Sequence, residues 1–181
     1  AERGPCLHSE KTRYGQGIFP WELRAQGVND LTNFDPELDW ETLRTKMKSV
    51  GIRNATLMAI APVESSSVLI NSTNGIEMPM SLITVKESKA GSFIQVVPEY
   101  QKLKNKYELM WEQTDCEGYL KTAAVLAAYV DQSISTNTFY NPAHFVDRKV
   151  PTTLIAKNLM NFWYWGGKTL YYSLINKQGV K

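Results

Sequence analysis

Apolar residues at Trp40, Leu43, Met47 and Val50 keep helical spacing, with Asp39 in front as an N-cap, Glu41 early, lysines late and Gly51 at the stop. This pattern predicts a first helix over about residues 40–50. The run Ala55-Thr56-Leu57-Met58-Ala59-Ile60-Ala61, closed by Pro62, is short and mostly apolar. It predicts a strand buried on both faces, as in an α/β sheet. Val63-Glu64-Ser65-Ser66-Ser67 then gives way to Val68-Leu69-Ile70, which reads as a turn and a short helix starting at the serines. Two β-type runs, Ser81–Lys86 and Phe93–Val97, flank Lys89-Ala90-Gly91 and predict a hairpin whose loop projects from the core. Two helices follow, at about 99–112 and 118–133, the second rich in Ala and Leu and expected to be buried on several sides. A short strand over 134–140, a helix opening at Pro151 and closing at Trp165-Gly166-Gly167, and a last strand over 169–174 complete the pattern. Before residue 38 the glycines and isolated aromatics Tyr14, Phe19 and Trp21 hold no period, so this part reads as an irregular wrapping segment.

The 181 residues suit about one domain, and 43% apolar with 21% charged residues is ordinary for a globular protein, which excludes a disordered chain. Twenty Lys and Arg against 18 Asp and Glu leave a net charge of +2 without a basic block, which disfavours nucleic-acid binding by phosphate neutralisation. The longest apolar run, Ala123–Val130, is far short of the ~20 residues a membrane span needs. The first residues lack the apolar core of a signal peptide, and the two cysteines, Cys6 and Cys116, are too few for a disulfide framework or a thiolate zinc site. A reducing cytoplasm is the expected setting. The opening without Met reads as a fragment or a processed piece.

The serines after Pro62 are the best chemical candidate. A strand that ends in a turn opening a helix presents free N–H groups and a positive dipole end to an anion such as phosphate. Ser65, Ser66 and Ser67 would add hydroxyl donors, while Glu64 would contribute through its backbone N–H. The same residues also make an ordinary N-cap, and the local sequence favours that plainer reading. Gly15-Gln16-Gly17 lacks the third glycine and the strand–helix context of a dinucleotide or Walker loop. Asn54-Ala55-Thr56 and Asn71-Ser72-Thr73 are formal glycosylation sequons, read as chance. Glu77 is a possible general base, although a lone carboxylate past a turn is usually solvated or paired. His8 and His144 stand far apart without carboxylate-rich neighbours, so no metal site is expected. Tyr171-Tyr172 poses a geometric question, because neighbours on a regular strand point to opposite faces. Two touching rings would need a bent backbone. One core ring and one surface ring is the plainer reading; a redox pair of phenols is the functional one.

Pro62-Val63-Glu64-Ser65-Ser66-Ser67, Asn71-Ser72-Thr73-Asn74-Gly75-Ile76-Glu77, Asp131-Gln132-Ser133-Ile134-Ser135 and Lys168-Thr169-Leu170-Tyr171-Tyr172 together resemble, in order and spacing, the C-terminal part of the large, catalytic subunit of class I ribonucleotide reductases of the bacterial and phage aerobic type. The likeness covers nearly the whole chain. The resemblance implies an α/β fold that is the C-terminal part of a ten-stranded α/β barrel, with residues 1–38 as the wrapping segment, 39–181 as one domain incomplete alone, and the hairpin as an insertion. It implies that Glu64, Ser65 and Ser66 bind the substrate diphosphate, and that Tyr171 and Tyr172 relay the radical from the small subunit to the active-site cysteine. Both implications reverse the plainer local readings. The helix over 151–165 matches the region that receives the small subunit's C-terminal tail.

By the same resemblance, the radical cysteine, the pair that reduces substrate and the assisting Asn and Glu belong to earlier parts of the family's chain, and a shuttling cysteine pair belongs to its tail. Cys6 and Cys116 match none of these; Cys6 reads as a buried structural thiol. Val63 stands where Ser is more usual, which removes a hydroxyl but leaves the backbone donors. The expected function is therefore a share in reducing ribonucleoside diphosphates, with the N-terminal remainder of the large subunit and the small subunit as partners. The isolated chain is expected to be inactive. No cofactor is expected in this chain itself; the complex would use a small-subunit metal/tyrosyl radical and an external dithiol reductant, thioredoxin or glutaredoxin. No nucleic acid or membrane partner is expected, and the setting is cytoplasmic, the host's if the chain is phage-encoded. The rival is a non-catalytic protein-interaction module derived from the barrel segment.

Overall fold

A computed structural model describes residues 3–34, 37–88 and 91–177, with the side chains of Glu64 and of residues 86–88 left out of the description. The chain divides into two compact units. The first comprises Ala1–Ile60, Lys121–Ile134 and Met160–Thr169; the second comprises Ala61–Leu120, Ser135–Leu159 and Leu170–Lys181.

In the first unit, helix α1 spans Trp40–Val50, with Asp39 accepting the Thr42 N–H at 3.0 Å and Gly51 closing the helix at φ 74°. Its Met47 packs with Tyr14 and Phe19, and Trp21, Trp40 and Ile52 close around them. Phe19 meets the Trp40 ring edge-on at a centroid distance of 5.0 Å. Among the described residues the N-terminal part holds short 3₁₀ turns at Ser9–Lys11, Pro20–Leu23 and Gln26–Asp30. Glu22 braces it, accepting from the Phe19 N–H at 2.8 Å and pairing with Arg44 on α1.

The expected strand over 55–61 is a correction. Leu57 and Met58 are 48% and 53% exposed, and among the described residues the only strand pairing of this run is an isolated parallel bridge from Ile60 to Ile134. Its N–H groups go elsewhere. Asp131 takes those of Leu57 and Met58 at 2.7 Å each, while the Ile60 N–H reaches the Ser133 carbonyl at 2.9 Å. An apolar run signals a surface to be covered, but the cover must come from another segment, and among the described residues these side chains stay open.

The second unit carries helix α2, Glu64–Leu69, at the serines as expected. Strands β1, Ile83–Ser88, and β2, Gly91–Val96, pair antiparallel with Ile83 opposite Val96. The expected turn residues Lys89 and Ala90 lie outside the described residues. The helix expected over 99–112 shrinks to α3, Tyr100–Leu103, and a 3₁₀ turn at Met110–Glu112. Residues 101–106 are exposed, so no apolar burial rewards continuing the helix. Instead the Tyr107 hydroxyl donates to the Pro98 carbonyl at 2.8 Å and the Met110 N–H to that of Pro79 at 3.0 Å.

Helix α4 spans Glu117–Ala127, six residues shorter at its end than expected. Tyr119, Leu120, Ala123, Ala124, Ala127 and Ala128 form its broad buried stripe. The N–H groups of Ala128, Tyr129 and Val130 bond three residues back, tightening the last turn and releasing Asp131 toward Leu57 and Met58. Strand β3, Thr136–Tyr140, follows, then helix α5, Thr152–Tyr164, preceded by Pro151 and stopped by Gly166 at φ 91°. Strand β4, Leu170–Ile175, pairs parallel with β3. Cys116 is fully buried while Cys6 is only partly so, short of the buried thiol expected there. The fold is mixed helix and strand, and among the described residues the strands form two two-stranded pairs rather than a closed sheet.

Candidate functional site

The phosphate-cradle candidates sit at the start of α2. The backbone there is set by a loop that closes on itself: the Val63 N–H donates to the Asn74 carbonyl at 2.8 Å, and the Ser72 N–H to the Ser67 carbonyl at 2.8 Å. Thr73 adds a hydroxyl bond to the Gly75 carbonyl at 2.9 Å. Ser65 and Ser66 are exposed, whereas Ser67 is buried. Glu64 opens the helix; its side chain is outside the description. As at any helix start, the first N–H groups have no acceptor within the helix.

The tyrosines stand on β4 at an irregularity. Thr136 pairs with Leu170 and Thr138 with Ser173, so Asn137 alone faces both Tyr171 and Tyr172. This is a bulge, with two residues opposite one. It overrides the alternation of a regular strand, and the two rings lie with centroids 4.1 Å apart, tilted by 49°. Neither ring is in a core: Tyr171 is 45% and Tyr172 59% exposed. The expected choice between one core and one surface ring, or two touching rings, resolves geometrically as two touching rings on the surface of this chain.

Asn137, which the sequence reading passed over, joins these segments. Its side-chain oxygen accepts the Tyr172 N–H at 3.1 Å, and its amide nitrogen donates to Glu77 Oε1 at 3.1 Å. The phenol of Tyr119 lies beside Glu77. Burial first, and the Glu77 charge second, push its pKa well above the ordinary tyrosine value, so it stays protonated at neutral pH. Among the described residues neither the Tyr119 hydroxyl nor Glu77 Oε2 finds a partner at hydrogen-bond geometry, although both are enclosed. In the sequence Asn137 stands between two other polar residues, Thr136 and Thr138, with no spacing that marks it out.

Cys116 lies against Asn158, whose amide nitrogen is 3.5 Å from its sulfur and 3.4 Å from the Tyr140 hydroxyl. Burial pushes the thiol pKa up, away from the thiolate form that nucleophilic chemistry needs. A cavity of about 60 Å³ in the first unit is lined by Arg13, Arg24, Asp131, Trp165 and Lys168. It has room for about two waters and for no nucleotide. No sequence-derived site residue lines it. Among the described residues no group of three His, Cys, Asp or Glu side chains converges on a metal position, and no helix is long and apolar enough to cross a membrane.

The family model described as ribonucleotide reductase, barrel domain, matches residues 1–173. The chain is 46% identical over 171 residues to the ribonucleoside-diphosphate reductase subunit alpha of Buchnera aphidicola, covering 94% of this chain and 22% of that protein. It is 42% identical to ribonucleoside-diphosphate reductase 1 subunit alpha of Escherichia coli, again over 94% of this chain and 22% of the relative. The corresponding subunit of Enterobacteria phage T4 is 38% identical over 173 residues, 94% of this chain and 23% of that protein. The chain therefore belongs to the ribonucleotide reductase family, in the barrel domain of its large subunit, and spans less than a quarter of the length of these relatives.

Proposed function

We propose that this chain supplies the substrate-phosphate loop and the tyrosine radical relay of a ribonucleoside-diphosphate reductase whose active site is completed by other segments of the large subunit. The observation that carries the reading is the β4 bulge, which brings adjacent tyrosine rings to 4.1 Å. A phenol that gives up one electron and one proton becomes a phenoxyl radical, and a neighbouring phenoxyl that takes both becomes a phenol again. Two rings in contact thus exchange one electron and one proton: the radical moves from one ring to the other, and the pair as a whole is neither oxidised nor reduced. The α2 loop fits the diphosphate: first-turn N–H groups and two exposed serine hydroxyls are donors suited to phosphate oxygens.

The ten-stranded barrel reading rests on the family resemblance and the barrel-domain match, and the exposed Leu57 and Met58 offer an apolar surface that other segments of the subunit would cover. The small subunit would provide the metal/tyrosyl radical, and an external dithiol such as thioredoxin or glutaredoxin would restore the reduced state. The test is reduction of ribonucleoside diphosphates by a mixture of this chain, the N-terminal remainder of a matching large subunit and the small subunit, each omitted in turn. Turnover that needs all three is expected, with Tyr171→Phe and Tyr172→Phe abolishing it while nucleotide binding persists. Binding without turnover in the complete mixture would instead support the interaction-module reading.

A further inference from the structure

The bulge that brings the tyrosines together leaves an amide that a regular ladder does not accommodate. We propose that Asn137, held in place by Glu77, is the positioning residue of the Tyr171–Tyr172 pair, an inference that rests on the relay reading above. The Tyr172 N–H can only donate and the Glu77 carboxylate can only accept. A carboxamide meets each with the opposite end, so its oxygen faces Tyr172 and its nitrogen faces Glu77, at 3.1 Å in both cases. The amide is therefore locked against rotation from both sides.

The base of this clamp is stiff. Asn137 stands on β3 between Thr136 and Thr138, which are buried, and the next residues, Phe139 and Tyr140, are only 1% exposed. The Glu77 carboxylate occupies space that only a glycine at position 75 leaves open, since a Cβ there would fall 2.4 Å from its Oε2, and the Tyr119 phenol lies beside it. Glu77 ends the same loop whose Asn74 carbonyl holds Val63 at the start of α2. One hydrogen-bonded path thus runs from the serine loop to the tyrosine rings inside the second unit.

The consequence for the relay is a choice of register. Without Asn137 the Tyr172 N–H loses its acceptor, and the strand moves between the bulge, where that N–H is unpaired and open to exchange, and regular pairing. Regular pairing sends neighbouring side chains to opposite faces, which separates the rings. Asn137 thereby selects the backbone in which the phenols touch.

The test uses the assembled complex. Asn137→Asp sets a second carboxylate against Glu77 and removes the donor. Turnover is expected to fall about 10²-fold, as for a misplaced reacting group, at unchanged KM for the nucleoside diphosphate. In the N137D/E77Q double variant the carboxamide now at position 77 donates to the new carboxylate at position 137, which still accepts from Tyr172, and most of the turnover returns. A second readout does not depend on activity: in Asn137→Ala, hydrogen exchange in the peptide holding Tyr172 quickens about fivefold, while β1–β2 peptides are unchanged. Wild-type turnover in N137D, or unchanged Tyr172 exchange in N137A, with Y171F and Y172F inactive, overturns the positioning role and leaves the relay standing. Turnover retained in Y171F and Y172F overturns the relay and this inference with it.

Discussion

Replacing Asp131 by Asn tests how the exposed run 55–61 is held. The carboxylate accepts the Leu57 and Met58 N–H groups at 2.7 Å each, one on each oxygen. Hydrogen bonds to a charged group contribute about 1.5–3 kcal/mol, and the exposure of Leu57 and Met58 argues for the lower end, about 1.5 kcal/mol per bond. Asparagine keeps one acceptor, worth about 1 kcal/mol, and turns an NH₂ donor toward the other N–H. The expected loss is about 2 kcal/mol, or a midpoint lowered by about 4–8 °C for a chain of this size. Urea unfolding followed by circular dichroism measures it, with the slope unchanged.

The same variant carries a pH signature. Burial works to raise the Asp131 pKa, but the N–H groups of Met58 and Leu57, the residue's own backbone and the Tyr14 hydroxyl outweigh it, and the net value is lowered. A depressed carboxylate contributes its full stability above the unfolded pKa of about 4 and loses it as pH falls through the folded value. The gap between wild type and D131N should therefore hold from pH 8 to about pH 5 and close below about pH 4. A loss under about 0.5 kcal/mol at pH 7, or a gap that persists in acid, would refute the account.

Ser65→Pro is tolerated by the first turn of α2 but removes one N–H donor from the cradle, so substrate Kd in the assembled enzyme should rise while the fold persists; an unchanged Kd counts against the cradle. Gly27→Ala would drive a methyl to 2.4 Å from the Tyr164 carbonyl oxygen at the end of α5 and should cost about 1–3 kcal/mol, read in the same unfolding assay. The phenylalanine variants of Tyr171 and Tyr172 separate the relay from mere packing, since they keep the rings and lose the phenolic proton.

Local rules held wherever the interaction partner was near in sequence. Helix α1 has its cap, stripe and glycine stop within thirteen residues, and α5 has Pro151 and Gly166 at its two ends. The serine-initiated helix and the β1–β2 hairpin follow from similarly short-range patterns. The ordered motifs from Pro62 to Tyr172 were enough to point to the family, because residue identity and spacing survive without any contact being known.

What the sequence by itself determined was thus most of the elements, their order and the family. The end of α4, the open run at 55–61 and the short α3 were decided by distant partners: Asp131 for Leu57 and Met58, and Pro79 for Met110. The tyrosine contact shows the division most clearly. Strand periodicity alone sends Tyr171 and Tyr172 to opposite faces, and only the bulge opposite Asn137, 35 residues away in the chain, turns both rings to the same side. Periodicity records which face a residue prefers; register is set by hydrogen bonds between segments, and those exist only once the chain has folded.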